Sequence, residues 1–392
     1  MNSIFSDRMS SVPQSFIREI LKVAVNPSII SFAGGLPNPD LFPVEDIKCS
    51  TQKVLEQYGV DALQYSSTEG FEPLREFIAK RYKEKQGLDI PVKNILITTG
   101  SQQGLDLMGK VLINENDDLV IEEPGYLGAI QAFSVYRAKF RPVPVDETGM
   151  DCDALQKVIS DHNPKLMYTV PNFQNPSGIT YTEENRKAVA DIIRGTRTFV
   201  IEDNPYGDLR FEGEEKTSFA GLIPDNTILL GSFSKTIVPA FRLGWIVAPD
   251  HIMEKLVIAK QAADLHSNYF AQRVIYQYLC DYDLDEHIDK IIALYRSQKQ
   301  AMMTSIEKHF PEDVKYTNPE GGMFLWASLP NNLSAMKLFD AAIEDKVAFV
   351  PGDPFYVDNQ TTNAFRLNYT SADEATIDDG IQRLAHAIKQ II

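Results

Sequence analysis

The sequence predicts an α/β fold: a large domain built on a seven-stranded, mostly parallel sheet between helices, with one antiparallel strand, and a smaller α+β domain made from the two chain ends. Three observations lead there. From Asn94 onward, short apolar runs alternate with helical stretches, which is the pattern of βαβ units. The last two of those runs, 227–233 and 244–248, are joined by a loop with no room for a crossover helix, so the second must run antiparallel to the first. After Val314 the pattern changes to short strands mixed with amphipathic helices.

Taken in order, the chain opens with a capping box at 11–14 (SVPQ) and a helix whose apolar face is Phe16, Ile17, Ile20, Leu21 and Ala24, stopped by Asn26 and Pro27. The segment 30–43, ISFAGGLPNPDLFP, holds Gly34, Gly35 and three prolines; it reads as an irregular but packed loop. A helix over 44–58 and a turn lead to a second amphipathic helix before Gly87. The seven sheet runs are 95–99, 119–122, 140–145, 166–170, 198–202, 227–233 and 244–248. A long helical region, 252–309, follows. The end of the chain reads as a strand at 322–329, a helix over 334–346, strands at 348–350 and 364–369, and a last helix over 373–392. The expected division is 1–43 joining the small domain, 44–290 as the large domain and 291–392 as the small one.

The bulk properties exclude several classes. A chain of 392 residues, 44% of them apolar, can bury a large core and spans roughly two to three domains. A formal net charge of -16 without any Lys/Arg run argues against nucleic acid or an anionic membrane as partner. The three cysteines, Cys49, Cys152 and Cys280, stand far apart, and no histidine pair has metal-ligand spacing, so neither a disulfide framework nor a metal site is expected. With no signal-like start and no run long enough to span a bilayer, the expected location is the cytoplasm.

The chemistry gathers at the predicted strand ends. GSFSKTIVPAFRLGW, 231–245, places Ser232, Ser234, Lys235 and Arg242 just after an apolar strand, where open α/β sheets bind ligands. Two hydroxyls and a guanidinium suit a phosphate, and a lysine amine condenses with an aldehyde; pyridoxal 5'-phosphate carries both groups. Alone, such a loop is more often a polar turn with a solvated lysine. Its company is more specific. TTGSQQG, 98–104, leaves a strand and opens a helix, so Ser101, Gln102 and the helix start can take phosphate oxygens. Tyr126 follows the next strand, where its ring could stack on a flat heterocycle or simply pack. Asn172 and Asn175 follow a fourth strand, and the turn after them directs the second. Asp203 and Tyr206 end a fifth; a carboxylate facing a pyridine nitrogen keeps it protonated, and the ring then accepts electrons.

The order QYSSTEG, TGSQQG, EEPGY, NFQNPSG, EDNPYGD, SFSKT, RLGW and RLNY resembles the fold type I pyridoxal-phosphate aminotransferases of class I/II over nearly the whole chain. FIREIL and FAGGLPNPDLFP are similar to the branch that includes 2-aminoadipate, kynurenine and broad-range aromatic or branched-chain aminotransferases. The resemblance implies that Lys235 is joined to the cofactor aldehyde and carries the substrate α-proton, with Asp203 on the ring nitrogen. Asn175 and Tyr206 would hold the ring hydroxyl oxygen, and Tyr126 would stack. Ser101, Gln102, Ser232, Ser234 and Arg242 would bind phosphate, helped by Tyr65 from the other subunit of a homodimer. Arg366, in FRLNY, would grip the substrate α-carboxylate beside Asn175, with Gly35 in a loop over the substrate. Arg18 would approach the distal end of the substrate and admit acidic side chains. The implied acceptor is 2-oxoglutarate, with ping-pong kinetics.

Two other readings share these residues. The same scaffold serves C-S lyases and decarboxylases, which differ in the bond aligned with the ring, and it also serves as the effector domain of some transcription regulators. The regulators place a winged helix ahead of it, and here only about ninety residues precede the first large-domain strand, without a basic recognition helix.

Overall fold

The computed structural model describes residues 4–10, 26–358 and 360–392. The expected capping box at 11–14, the helix face through Ala24 and Arg18 lie outside the described residues.

After the short strand β1 (Ile30–Ser31), the seven predicted runs all form strands of one sheet. These are β2 (Ile95–Thr98), β3 (Asp118–Glu123), β4 (Lys139–Asp146), β6 (Leu166–Thr169), β7 (Phe199–Asp203), β8 (Thr227–Ser232) and β9 (Gly244–Val247). An eighth member, β5 (Gly149–Met150), folds back antiparallel on β4. Its turn is closed by Asp146 Oδ1, which accepts from the Thr148 amide and hydroxyl, each at 2.7 Å. The strand order is β2-β9-β8-β7-β6-β3-β4-β5. As the short loop demanded, β9 runs antiparallel to β8, and it is antiparallel to β2 as well.

The helices between are α1 (Val44–Ala62), α2 (Glu72–Gln86), α3 (Gly100–Leu112), α4 (Leu127–Ser134), α5 (Cys152–His162) and α6 (Glu183–Ile193). The first runs past its expected end at 58 because the chain kinks at Gly59 and resumes. Local caps account for several boundaries: the Asp151 side chain accepts from the Ala154 amide, Thr182 from Asn185, and Gly87 closes α2 in the left-handed region. The expected helical stretch 252–309 is three helices, α7 (Asp250–Asp264), α8 (Tyr269–Asp281) and α9 (Leu284–His309). Leu265, at φ 65 and ψ -58, ends the first, and Asp283 caps the third.

Side chains alternate across the sheet, as period-two strands require. Leu119 and Ile121 pack with Tyr168, Ile201 and Leu230 on one face, while Val120 packs with Met167 and Val200 on the other. Each such side chain, fully buried, contributes about 1.5–3 kcal/mol.

The chain end adds β10 (Lys315–Tyr316), β11 (Phe324–Ser328), α10 (Ala335–Glu344), β12 (Val347–Ala348), β13 (Val350–Pro351), β14 (Ala364–Asn368) and α11 (Glu374–Ile391). The single strand expected at 348–350 is two: β12 pairs parallel with β1, and β13 pairs antiparallel with β14. The remaining strands complete an antiparallel sheet in the order β10-β11-β14-β13. Pairing of β1 with β12 matters for function, because the Phe32 carbonyl then accepts from the Asn368 amide at 2.9 Å and the Ala33–Gly35 stretch is carried to the ends of the large sheet.

Candidate active site

Strands β3, β6, β7 and β8 run parallel, so the residues after each of them emerge on one side. There a cavity of about 480 Å³ is walled by Ser101, Gln102, Tyr126, Asn175, Asp203, Tyr206, Ser232, Ser234, Lys235 and Arg242, with Gly35 and Arg366 from the chain ends. All twelve are expected site residues. Of the other three, Asn172 is turned away, accepting from Arg186 Nη2 at 2.7 Å, Tyr65 lies away from this cavity, its side chain exposed and edge-on to His266 at 5.8 Å, and Arg18 is outside the described residues. The structure adds Tyr168, Gln131 and Phe324 to the wall.

Lys235 leaves the β8–β9 connection and donates from Nζ to the Gly35 carbonyl at 2.7 Å, with the Tyr206 ring 6.0 Å away. Burial, then the positive charges of Arg366 and Arg242, lower its pKa to about 8. The amine is therefore available in neutral form near physiological pH, as a nucleophile or base requires.

Asp203 is buried at the end of β7. Its Oδ2 accepts from the Tyr168 hydroxyl at 2.8 Å, and its Oδ1 is buried with no hydrogen-bond partner among the described residues. Burial pushes its pKa up to about 7, the Tyr168 hydrogen bond opposes this, and the nearby Glu122 adds to it. Glu122 itself is buried, and accepts from the Thr169 hydroxyl at 2.6 Å, the Val170 amide at 2.9 Å, the Gln174 side chain at 2.9 Å and the Tyr181 hydroxyl at 2.8 Å. That network ties β3 to the turn carrying Asn175.

Arg366, on β14, donates from Nη1 to Asn175 Oδ1 and from Nη2 to the Ala33 carbonyl, each at 2.8 Å. Its guanidinium lies over the Phe324 ring at 4.3 Å, and its Nε is buried without a partner among the described residues. Burial lowers its pKa to about 10, still leaving it a cation.

The other end of the cavity is a cluster of donors. Arg242 is held in the left-handed region at φ 53, with Nη1 3.4 Å from Ser234 Oγ. Ser232 Oγ accepts from the Ser234 amide at 3.0 Å. The start of α3 lies against Arg242: a Cβ on Gly100, at φ +74, would meet Arg242 Nη2 at 2.5 Å. Only glycine permits that approach.

These groups fit pyridoxal 5'-phosphate. A buried acceptor, Asp203 Oδ1, suits a protonated ring nitrogen, Tyr126 and Tyr168 offer flat faces, and the serines, Arg242 and the α3 start suit a phosphate. Among the described residues no group of His, Cys, Asp or Glu side chains could hold a metal ion, and no helix is long and apolar enough to cross a membrane.

Comparison with known proteins agrees with this chemistry. Residues 31–384 match the model of the family described as aminotransferase class I and II. The chain is similar to an aromatic-amino-acid aminotransferase of Thermococcus litoralis, at 42% identity over 98% of this chain and 94% of that protein. It is similar to a 2-aminoadipate transaminase of Thermus thermophilus, at 40% identity over 99% and 97% of the two chains. Among solved structures, the kynurenine aminotransferase of Pyrococcus horikoshii, in complex with PMP, superposes with a TM-score of 0.95 at 41% identity, covering 99% of this chain and 97% of the other.

Proposed function

The chain belongs to the class I and II aminotransferases and is an aminotransferase dependent on pyridoxal 5'-phosphate; from that premise we propose the role of each residue and the substrates. The observation that carries the assignment is the presence, in one cavity, of Lys235 with its lowered pKa and of Asp203 with a buried oxygen that has no partner among the described residues.

When bound, the cofactor supplies an electron sink for the substrate carbon that loses its proton. Lys235 would hold the cofactor at its aldehyde carbon, and its Nζ, as a free amine, would take the α-proton of the substrate. Asp203 Oδ1 would accept from the ring N–H and hold that proton in place, with Tyr168 fixing the carboxylate's direction. Asn175 and Tyr206 would donate to the ring hydroxyl oxygen, and Tyr126 would stack on the ring. Ser101, Gln102, Ser232, Ser234 and Arg242 bind the phosphate. Arg366 pairs with the α-carboxylate, beside Asn175, and so orients the Cα–H bond toward Lys235; its Nε, without a partner among the described residues, leaves a donor for this contact. Gly35, which holds Lys235 through its carbonyl, belongs to the segment that covers the substrate.

The donors are aromatic amino acids and 2-aminoadipate, a reading supported by relatives at 42% and 40% identity, and the acceptor is 2-oxoglutarate. Arg18 meets a distal acidic group. The protein works as a cytoplasmic homodimer, in which Tyr65 reaches the phosphate of the other subunit. Three free cysteines are consistent with a reducing compartment. Leu55, Tyr58, Val60, Leu63 and Tyr65 expose apolar surface along one segment, which suits a subunit interface. The division at 43 and 290 separates the cofactor-binding part from a part that can close over substrate.

The test is the visible absorption of the loaded protein, titrated with single amino acids and then with 2-oxoglutarate. The band of bound cofactor is expected to vanish with donors and return with the oxo acid. A band that persists with every amino acid overturns the substrate reading.

A further inference from the structure

Lys260, on α7, is fully buried, and no role proposed above uses it. Its Nζ donates to Gln103 Oε1 at 2.9 Å, to Asp264 Oδ1 and Oδ2 at 2.8 and 3.0 Å, and to Ser267 Oγ at 3.0 Å. Those acceptors belong to the first turn of α3, the last turn of α7 and the connection into α8. A buried ammonium is unfavourable unless fully paired, and packing alone would be served by an apolar side chain. This cluster instead holds three segments together.

One of them is the start of α3. Thr99 stands at its N-cap but makes no side-chain cap, whereas a threonine there normally accepts from the first-turn amides. Its Oγ1 lies 3.1 Å from Ser267 Oγ and 3.3 Å from Asp264 Oδ2, and its amide donates to Gln103 Oε1 at 2.8 Å. Gln103 Nε2 closes the ring on Asp264 Oδ2 at 2.7 Å. Because the cluster draws off the capping hydroxyl, it leaves the helix start uncapped by Thr99, on the side where Ser101 and Gln102 wall the cavity.

Another is the connection into α8, which reaches the Tyr65 segment through His266. Beyond Asp264 the chain turns through Leu265, and His266 Nε2 accepts from the Ser66 amide at 3.3 Å while its Nδ1 lies 2.8 Å from the Ser267 carbonyl. Tyr65 sits edge-on to the same imidazole. Gln272 reinforces the link, donating to the Ser267 carbonyl at 3.1 Å and accepting from the Phe71 amide at 2.8 Å.

We propose that Lys260 and Asp264 are positioning residues for the cofactor phosphate. They hold the start of α3 for their own subunit's site and, through the His266 turn, present Tyr65 to the other subunit's site. The inference rests on the cofactor and dimer readings above, and it makes one ion pair a shared support of two active sites.

The test compares pyridoxal 5'-phosphate with pyridoxal, which lacks the phosphate, by absorption titration of the full-length protein freed of cofactor. Lys260→Met is expected to weaken pyridoxal 5'-phosphate about tenfold while changing pyridoxal less than about twofold. Thr99→Val, a gentler change, is expected to move the same ratio about threefold. Tyr65→Phe is expected to cost less in the Lys260→Met background than alone, because coupled positions are non-additive. If Lys260→Met and Thr99→Val keep the wild-type affinity ratio, even with a lowered melting temperature, the cluster is structural only and the inference is overturned. Should Lys260→Met fail to fold, Asp264→Asn and Thr99→Val decide by the same ratio. A wild-type protein with no preference for the phosphorylated ligand overturns the cofactor reading itself, and a silent Tyr65→Phe overturns the cross-subunit half.

Discussion

The Tyr168 hydroxyl donates to Asp203 Oδ2 at 2.8 Å, and Asp203 Oδ1 is left buried without a partner among the described residues. One oxygen is thus committed to the protein and one is free for a ligand. Tyr168→Phe removes the interaction that favours the ionised carboxylate, while burial and Glu122 continue to favour the protonated form. Asp203 is then expected to titrate above its present value of about 7. Turnover at pH 7 should fall roughly tenfold and recover in part at higher pH, with KM for the amino acid unchanged. A pH profile of kcat for the two proteins checks this.

Lys235→Ala is expected to lose at least ~10³-fold in turnover while still binding cofactor noncovalently. The lowered pKa of Lys235 also has a stability consequence. Between about 8 and the ordinary 10.5 the folded protein holds fewer protons than the unfolded chain, so stability rises with pH across that window. Below it, the buried ammonium is destabilising in full. Lys235→Met should therefore stabilise the cofactor-free protein at pH 7 and do so progressively less toward pH 10, a difference readable in urea midpoints.

Arg366→Leu removes the cation assigned to the substrate carboxylate. KM for the amino donor is expected to rise by roughly 30-fold or more, with affinity for the cofactor changed little. Steady-state kinetics beside a cofactor titration separate the two effects.

Gly100→Ala places a methyl 2.5 Å from Arg242 Nη2, in a backbone conformation that costs an alanine about 1–2 kcal/mol. Arg242 must move. Cofactor affinity is expected to drop about tenfold, measured by absorption titration.

Glu122→Ala leaves four buried donors without their acceptor. A loss of about 3 kcal/mol in stability is expected, seen as a lowered urea midpoint.

What the sequence by itself determined was local. Strand-end loops carry Ser101, Tyr126, Asn175, Asp203, Ser232, Lys235 and Arg242 within a few residues of apolar runs, and both the alternation of runs and helices and the short β8–β9 link are readable from neighbours alone. Arg366 and Gly35 were legible only through a family resemblance, because nothing nearby in sequence marks them. Their placement was decided by tertiary structure. Gly35 and Lys235 stand 200 residues apart and meet only because β1 pairs with β12 beside β14. Tyr168 reads as one more apolar strand residue until β6 and β7 lie in register and its hydroxyl finds Asp203. Lys260 reads as a solvated helix charge until α7 packs on α3. Propensity and periodicity act over a turn or a strand. Which side chains converge, and what happens to their charge, depends on strand register and burial, which arise only when distant segments pack.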